Sequence, residues 1–92
     1  MKPIKFRLRA DRDIEQIIAY YLRLAPEAVP GIAADIDRSL GLIEEDPERY
    51  PPVSGTPYRR LVTRRYKFKI AYRVRPDVIE IVGIYRYQNR TA

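Results

Sequence analysis

The hydrophobic pattern of this 92-residue chain changes its period at one proline-rich segment. Between residues 14 and 43 the apolar residues recur at helical spacing, and after residue 57 they alternate with polar residues as in a strand. Residues 46–57 contain four prolines together with Ser54 and Gly55, a concentration that excludes regular structure. The chain is therefore expected to form helices first and a sheet afterwards, with an irregular loop between the two parts.

The N-terminal part is predicted to begin with a short strand and a first helix. Residues 4–9 alternate apolar and basic side chains, which indicates a strand with one buried face. Asp11 is expected to cap the helix that follows, and this helix should end near Ala25 because Pro26 cannot continue it. The apolar stripe of the helix consists of Ile14, Ile17, Ile18, Tyr21 and Leu22.

A second helix is predicted to complete a helical hairpin. Its start lies between Glu27 and Gly31, where Pro30 disturbs the pattern, and its end lies at Asp46-Pro47. Its apolar stripe consists of Val29, Ile32, Ala33, Ile36, Leu40 and Ile43. Because the sequence has no repeats and one thin core to fill, residues 1–92 are expected to be a single domain.

Three strands are predicted after the loop, at residues 58–63, 66–74 and 78–85. The middle strand should bury Tyr66, Phe68, Ile70, Tyr72 and Val74 and expose a largely basic face, and the last strand is apolar enough to be buried on both faces. The fold class is therefore α+β, with the order β-α-α-β-β-β. A helical hairpin is expected to pack on a mainly antiparallel four-stranded sheet.

The positive charge of the chain is concentrated in its C-terminal part. Residues 1–57 contain 8 Lys/Arg and 10 Asp/Glu, whereas residues 58–92 contain 10 Lys/Arg and 2 Asp/Glu. Such a clustered field favours binding to nucleic acid or to an acidic protein, because it raises encounter rates and releases counterions from a polyanion. The composition does not choose between these two partners.

The sequence also excludes several kinds of chemistry. It contains no histidine and no cysteine, so Ser-His-Asp and Cys-His nucleophiles, His/Cys zinc sites and disulfides are impossible. The acidic residues 44–48 are interpreted as a solvated helix end, and the four glycines fit no nucleotide-binding loop. We therefore expect no metal, no cofactor and no membrane span, and a location in the cytoplasm.

Two interpretations of the basic and aromatic C-terminal residues remain. In the functional one, arginines hold phosphates or carboxylates while Tyr85 or Tyr87 stacks on a base or transfers a proton. In the structural one, the tyrosines are ordinary sheet residues and the charges keep the exposed face soluble. The tyrosines of the second and third strands fit the structural interpretation, whereas the density of arginines fits a binding function.

The ordered set of segments resembles the RelE/ParE superfamily of bacterial toxins, and the resemblance covers nearly the whole chain. In the sheet it is carried by Arg60–Val62, Tyr66–Val74 and Ile79–Tyr85. In the helical part it is carried by Ala10–Ile14, Pro26–Ala28 and Ile43–Pro47. The resemblance implies the toxin of a type II toxin-antitoxin module, of the kind associated with growth arrest and plasmid stabilization and neutralised by a small antitoxin.

Within the superfamily, RelE-like members cut mRNA on the ribosome, whereas ParE-like members inhibit DNA gyrase. The long helical hairpin and the short extension after the last strand are more similar to ParE. Many relatives carry a histidine just past the last strand, and that position is Arg86 here. The resemblance therefore favours a gyrase inhibitor that acts by binding, with no catalytic residues. The alternatives are a metal-free RelE-like endonuclease, using Lys69, Tyr87 and Arg90, and a non-toxic nucleic-acid-binding module.

Two sets of binding residues follow from these arguments. The candidates for contacting the target are Arg59, Arg60, Arg64, Arg65, Lys67, Arg73, Arg86 and Arg90. The candidates for contacting the antitoxin are Ile17, Tyr21, Tyr66, Phe68 and Tyr72.

Overall fold

The computed structural model describes residues 1–86 and has the predicted element order. Its elements are β1 (Ile4–Phe6), α1 (Leu8–Leu24), a 3-10 turn (Pro26–Ala28), α2 (Val29–Glu45), β2 (Arg59–Val62), β3 (Lys69–Val74) and β4 (Ile79–Tyr85). Both helices end where the prolines and Asp46 were expected to end them. In the described part of the chain, no helix is long and apolar enough to cross a membrane.

The four strands form one mixed sheet in the order β1-β4-β3-β2. Strand β1 runs parallel to β4, whereas β4 with β3 and β3 with β2 are antiparallel pairs. The helical connection between β1 and the later strands allows the parallel pairing, because a parallel neighbour requires a long crossover. The predicted helical hairpin on a mainly antiparallel four-stranded sheet is confirmed.

The core lies between the helices and one face of the sheet. The helices contribute Ile17, Ile32, Ile36 and Ile43, and the sheet contributes Leu61, Ile70, Tyr72, Ile79, Ile81 and Ile84. Each fully buried isoleucine stabilises the fold by roughly 1.5–3 kcal/mol. This packing fixes which face of the sheet is left open for other contacts.

Strand β4 contains a bulge that changes the direction of its last residues. Tyr72 pairs with Ile81 and Ala71 pairs with Gly83, so Val82 has no partner on β3. The extra residue reverses the alternation of side chains after Val82. Gly83 therefore shares a face with Ala71, and Ile84 shares the opposite face with Ile70. The predicted burial of β4 on both faces is thus confirmed for residues 81–84, which are all buried.

The first strand is shorter than predicted, and Asp11 does not cap the helix. Helix α1 begins at Leu8, whose side chain is 65% exposed. The alternating pattern of residues 4–9 therefore continues past the end of the strand. Arg7 occupies the N-cap position, and no side chain accepts a capping hydrogen bond there. The backbone N–H of Asp11 instead donates to the Arg7 carbonyl, which places Asp11 in the first turn of the helix.

Strand β3 also begins later than predicted, at Lys69 instead of residue 66. Lys67 has φ of 63°, a left-handed conformation that is incompatible with a continuous strand. Residues 64–66 form a turn, although Tyr66 and Phe68 have the alternating pattern of a strand. This turn is central to the candidate site.

Candidate functional site

The face of the sheet opposite the helices is open and basic. Directly paired residues share a face of a sheet, and the register places three rows here. These rows are Val62-Lys69-Tyr85, Arg60-Ala71-Gly83, and Arg73-Glu80-Lys5. Val62 and Tyr85 are 42% and 40% exposed, and the Tyr85 side chain lies over the buried Gly83. Among the residues that the structure describes, no helix covers this side. We call these nine residues the open sheet face.

Two arginines of the open sheet face have no ion-pair partner among the described residues. Glu80 contributes its only carboxylate, and its Oε1 atom lies 3.0 Å from Nη2 of Arg7 and 3.9 Å from Nη1 of Arg75. Within residues 1–86, neither Arg60 nor Arg73 has a carboxylate oxygen within salt-bridge distance. The face therefore presents cations to an anionic or hydrogen-bond-accepting partner.

The turn between β2 and β3 displays three more cations on a rigid frame. The Thr63 N–H donates to the Phe68 carbonyl at 2.7 Å, and the Phe68 N–H donates to the Thr63 hydroxyl at 2.9 Å. These bonds close the turn around Arg64, Arg65 and Lys67, which are all exposed. The Thr63 side chain is itself fully buried, so the base of the turn is fixed in the core.

Asp35 attaches this turn to helix α2. Its Oδ2 atom accepts the Tyr66 N–H at 2.8 Å, and its Oδ1 atom accepts the Arg65 N–H at 3.2 Å. Burial by itself raises the pKa of the Asp35 carboxyl, but hydrogen bonds from Tyr66, Thr63 and Arg65 and the charge of Arg38 together hold it below its ordinary value. Asp35 is therefore ionised at neutral pH, and both of its oxygens are occupied by the turn.

A groove of about 440 Å³ lies between α2 and the turn. We call it the turn groove, and its lining residues are Gly31, Ala34, Asp35, Arg38, Arg64 and Arg65. A Cβ atom at Gly31 would lie 2.9 Å from the Tyr66 hydroxyl and 3.0 Å from Nη1 of Arg65. The missing side chain at Gly31 thus lets both groups of the turn pack directly against the helix.

Arg59 and Tyr72 have structural contacts with the proline-rich loop. Arg59 Nη1 donates to the carbonyl oxygens of Tyr50 at 2.7 Å and Glu48 at 3.2 Å, which holds the loop against β2. The buried Tyr72 hydroxyl donates to the Pro47 carbonyl at 2.5 Å, and burial raises the Tyr72 pKa to about 12. These contacts place Arg59 on the helix side of the sheet, away from Arg60 and Arg73.

The end of β4 lies against α1, at a cluster of charged and aromatic groups. Asp13 Oδ2 accepts the Ile84 N–H at 3.0 Å, which satisfies a strand edge that β1 is too short to cover. The Arg86 guanidinium lies 4.1 Å from the centre of the Tyr20 ring, and the hydrogen bond that it donates to the phenol oxygen of Tyr20 raises the Arg86 pKa. Arg86 is exposed, but it faces α1 instead of joining the open sheet face.

The residues predicted to contact the antitoxin divide into buried and accessible ones. Ile17, Phe68 and Tyr72 are 6%, 1% and 0% exposed, so their side chains are occupied by the core of this chain. Tyr21 and Tyr66 are half-buried and remain accessible in part. An apolar groove of about 270 Å³ lies between the helices instead. We call it the hairpin groove, and it is lined by Ile14, Ile18, Ala33, Ile36, Asp37 and Leu40.

The RelE-like candidates are only partly within the described structure. Lys69 is half-buried on the open sheet face, directly opposite Tyr85. Tyr87 and Arg90, the other two members of that set, lie outside the described residues, as does the proposed target-binding role of Arg90. Over residues 1–86, no group of acidic side chains is arranged to hold a metal ion.

Sequence reasoning missed Asp35 and Thr63, which hold the turn groove together. A signal for Asp35 was present, because it follows Ile32 by three residues and precedes Ile36, and so lies on the buried stripe of α2. A buried carboxylate on such a stripe requires hydrogen-bond donors. Thr63 lies at the end of a strand and gave no comparable signal.

Comparisons with known proteins agree with this architecture. A sequence model described as "ParE toxin of type II toxin-antitoxin system, parDE" matches residues 4–89. A solved structure of the chromosomal ParDE TA system from P. aeruginosa is similar with a TM-score of 0.84 and 24% identity, covering 96% of this chain and 98% of that chain. No curated protein sequence matches. The structural likeness establishes a shared fold. Since the sequence model spans almost the whole length, the chain belongs to the ParE toxin family of type II toxin-antitoxin systems.

Proposed function

We propose that this ParE-family toxin inhibits DNA gyrase by binding to it, with the open sheet face as the main contact. The observation that carries the proposal is family membership over residues 4–89, since ParE-like members inhibit gyrase and RelE-like members cut mRNA. The absence of histidine and cysteine from the sequence agrees with an inhibitor that needs no nucleophile or imidazole base.

The charge of the open sheet face supports this contact. Arg60 is exposed, Arg73 is half-buried, and neither is neutralised by a carboxylate in the described part of the chain. Arginine is enriched in protein interfaces because its planar guanidinium binds carboxylates in a bidentate manner and stacks on flat groups. Val62 and Tyr85 add exposed apolar area beside these charges. The combination is suited to a protein surface.

A supercoiling assay tests the target. Purified, antitoxin-free protein is added to gyrase and relaxed plasmid, and the expected result is blocked supercoiling or accumulation of cleaved plasmid. Circular dichroism establishes that the protein is folded. Normal supercoiling at a large molar excess of folded protein would rule out gyrase as the target.

We also propose that an antitoxin neutralises the toxin by occupying the hairpin groove. Ile14 and Ile18 of α1 face Leu40 of α2 across this groove, and an amphipathic helix or strand of a partner can bury its apolar face there. The exposed Leu22 and Leu24 extend the apolar surface of α1 towards its end. The half-buried Tyr21 remains a candidate at this site.

The antitoxin proposal is tested with the small protein encoded by the neighbouring reading frame. Ala33→Glu places a charged side chain in the hairpin groove at an exposed position, so it should weaken binding of that protein without removing core atoms. Ser54→Glu, at an exposed position of the proline-rich loop, is the matched control. Equal binding by the two variants, measured by isothermal titration calorimetry, would place the antitoxin elsewhere.

The pairing of Lys69 with Tyr85 keeps an endonuclease as the second candidate. This pair puts a cation and a phenol side by side on the open sheet face, an arrangement that suits stabilisation of a phosphorane-like transition state. Lys69→Ala, Tyr87→Phe and Arg90→Ala should then abolish mRNA cuts on translating ribosomes. A wild-type protein that makes no such cuts would eliminate this candidate, and growth arrest on induction would eliminate a non-toxic binding module.

A further inference from the structure

The turn groove carries a positive charge that the proposed gyrase contact does not use. It is lined by Arg38, Arg64 and Arg65, and all three residues are exposed. Among residues 1–86, none of the three forms a salt bridge. The single carboxylate of the groove is that of Asp35. Three cations and one anion leave a site that attracts a negatively charged group.

Asp35 offsets only part of this charge, and its carboxylate already has hydrogen-bond partners within the chain. Its two oxygens accept the backbone N–H groups of Arg65 and Tyr66 at 3.2 and 2.8 Å. The carboxylate therefore orients the turn that carries two of the arginines and leaves their guanidinium N–H groups available. Asp35 is thus a positioning residue for the groove.

The guanidinium of Arg65 is held in place before any ligand binds. Its Cζ atom lies 5.0 Å from the centre of the Tyr66 ring, and its Nη1 atom packs against α2 at the position of Gly31. The turn below it is closed by the paired backbone and side-chain bonds between Thr63 and Phe68. Holding an arginine in one arrangement in advance lowers the entropy lost when it binds an anion.

The hydrogen-bonding character of the lining identifies the kind of anion. The backbone N–H groups of Arg65 and Tyr66 already donate hydrogen bonds to Asp35. Gly31 and Ala34 lie in helix α2, whose backbone carbonyl groups accept hydrogen bonds within the helix. The remaining polar groups are mainly guanidinium donors. A peptide brings its own N–H groups, which need acceptors, whereas a phosphate brings only acceptor oxygens.

We propose that the turn groove binds a phosphate of a nucleic-acid backbone. The groove is open, and the exposed Lys67 on the same turn adds a further cation beside it. An open groove of this kind admits a phosphate that projects from a polymer, whereas a free ion is normally held in a more enclosed site. The contact carries no base recognition, so it is independent of nucleotide sequence. It is also independent of whether gyrase is the target.

Direct binding to a short duplex DNA tests the proposal by fluorescence anisotropy over a series of salt concentrations. The variant is Arg64→Ala combined with Arg65→Ala, and the control is Arg12→Ala combined with Arg23→Ala, which removes the same charge from exposed positions of α1. The groove variant should bind the duplex about tenfold more weakly than the wild type does. The slope of log K against log salt concentration should become less steep by about two, because two phosphate contacts are removed. The control should stay within about twofold of wild type, because long-range charge alone contributes little at ordinary ionic strength. Equal weakening in both would overturn the proposal in favour of diffuse attraction.

Gly31→Ala provides a second test that leaves the net charge unchanged. The new methyl group would lie 2.9 Å from the Tyr66 hydroxyl and 3.0 Å from Nη1 of Arg65, so both groups of the turn would have to shift away from α2. DNA affinity should therefore fall about threefold while circular dichroism stays native. Unchanged DNA affinity would show that the geometry of the groove is irrelevant.

Two further ligands distinguish other sources of the anion. Inorganic phosphate should displace the duplex only at concentrations far above that of the duplex itself. A glutamate-rich peptide should bind the wild type no more tightly than it binds the groove variant. Tight binding of phosphate alone would reassign the groove to a free ion. Peptide binding that exceeds DNA binding and is lost in the groove variant would reassign it to an acidic protein.

Discussion

Replacing Asp35 of helix α2 with alanine should destabilise the protein far more than the small size of the turn it holds would indicate. The residue is 5% exposed, and its carboxylate accepts two backbone N–H groups of the β2–β3 turn, from Arg65 and Tyr66. Alanine supplies no acceptor, so both donors lose their partner at a partly buried position. The substitution also releases the turn from α2 without removing any apolar core atoms.

The size of the effect follows from the two hydrogen bonds. A hydrogen bond to a charged acceptor contributes about 1.5–3 kcal/mol, and water can reach part of this turn after the substitution. We therefore expect Asp35→Ala to lower the free energy of unfolding by about 2–4 kcal/mol. A domain of this size has a free energy of unfolding of about 5–14 kcal/mol. The melting temperature of the Asp35→Ala variant should therefore be lower than that of the wild type by roughly 10–20 °C.

Urea denaturation followed by circular dichroism measures this loss. Asp37→Ala is the matched control, because Asp37 is an exposed carboxylate on the same helix and should change the free energy of unfolding by at most about 0.5 kcal/mol. If Asp35→Ala is as stable as Asp37→Ala, the turn is not held by this carboxylate. The account of the turn groove would then be wrong as well.

The same carboxylate gives a pH dependence with a definite sign. Its folded pKa lies below its ordinary value of 3.8, so its contribution to stability is complete above that value and is lost as the pH falls through the folded pKa. The difference in unfolding free energy between wild type and Asp35→Asn should narrow as the pH falls below 3.8. A difference that stays constant over this range would contradict the lowered pKa.

Two smaller perturbations test the supports of the sheet. Tyr72→Phe removes the hydroxyl that donates to Pro47 and should cost about 1 kcal/mol in urea denaturation. Because the folded pKa of Tyr72 is about 12, the stabilising effect of its hydroxyl should persist below pH 10 and decline as the pH rises through 12. If the wild type and Tyr72→Phe have the same unfolding free energy at neutral pH, the hydroxyl does not stabilise the fold. Asp13→Ala leaves the Ile84 N–H without its acceptor, so hydrogen exchange at Ile84 should accelerate, whereas Asp11→Ala should leave it unchanged. Equal exchange in the two variants would show that Asp13 does not protect this strand edge.

Much of the fold could be predicted because periodicity and prolines act locally. The helix ends before Pro26 and at Asp46 were predicted correctly, since a proline limits the backbone whatever the tertiary structure. The end of β1 and the start of β3 were harder to place, because alternation continued through Leu8 and through residues 66–68. At both positions the backbone departs from the strand in a way that the alternation does not show. Helix α1 already begins at Leu8, and Lys67 adopts a left-handed conformation.

The candidate site was harder to predict because it depends on pairings between distant residues. The arginines were identified by their density, but the sequence could not separate Arg59, which holds the proline-rich loop, from Arg60, which lies on the open sheet face. The sequence also did not show how deeply Phe68 and Tyr72, two of the predicted antitoxin contacts, pack against the helices; they are 1% and 0% exposed. Asp35 acquires its role from a turn thirty residues away.

The role of the open sheet face is tested by comparing how strongly three forms of the purified protein inhibit gyrase supercoiling. These are the wild type, Arg60→Ala combined with Arg73→Ala on the open sheet face, and Arg12→Ala combined with Arg23→Ala on α1. We predict that the wild type and the α1 variant inhibit at similar concentrations, while the open-face variant remains folded and requires about tenfold or more protein for the same inhibition. Full supercoiling in the presence of excess folded wild-type protein, or identical inhibition by all three forms, would contradict the claim that this toxin acts on gyrase through its open sheet face.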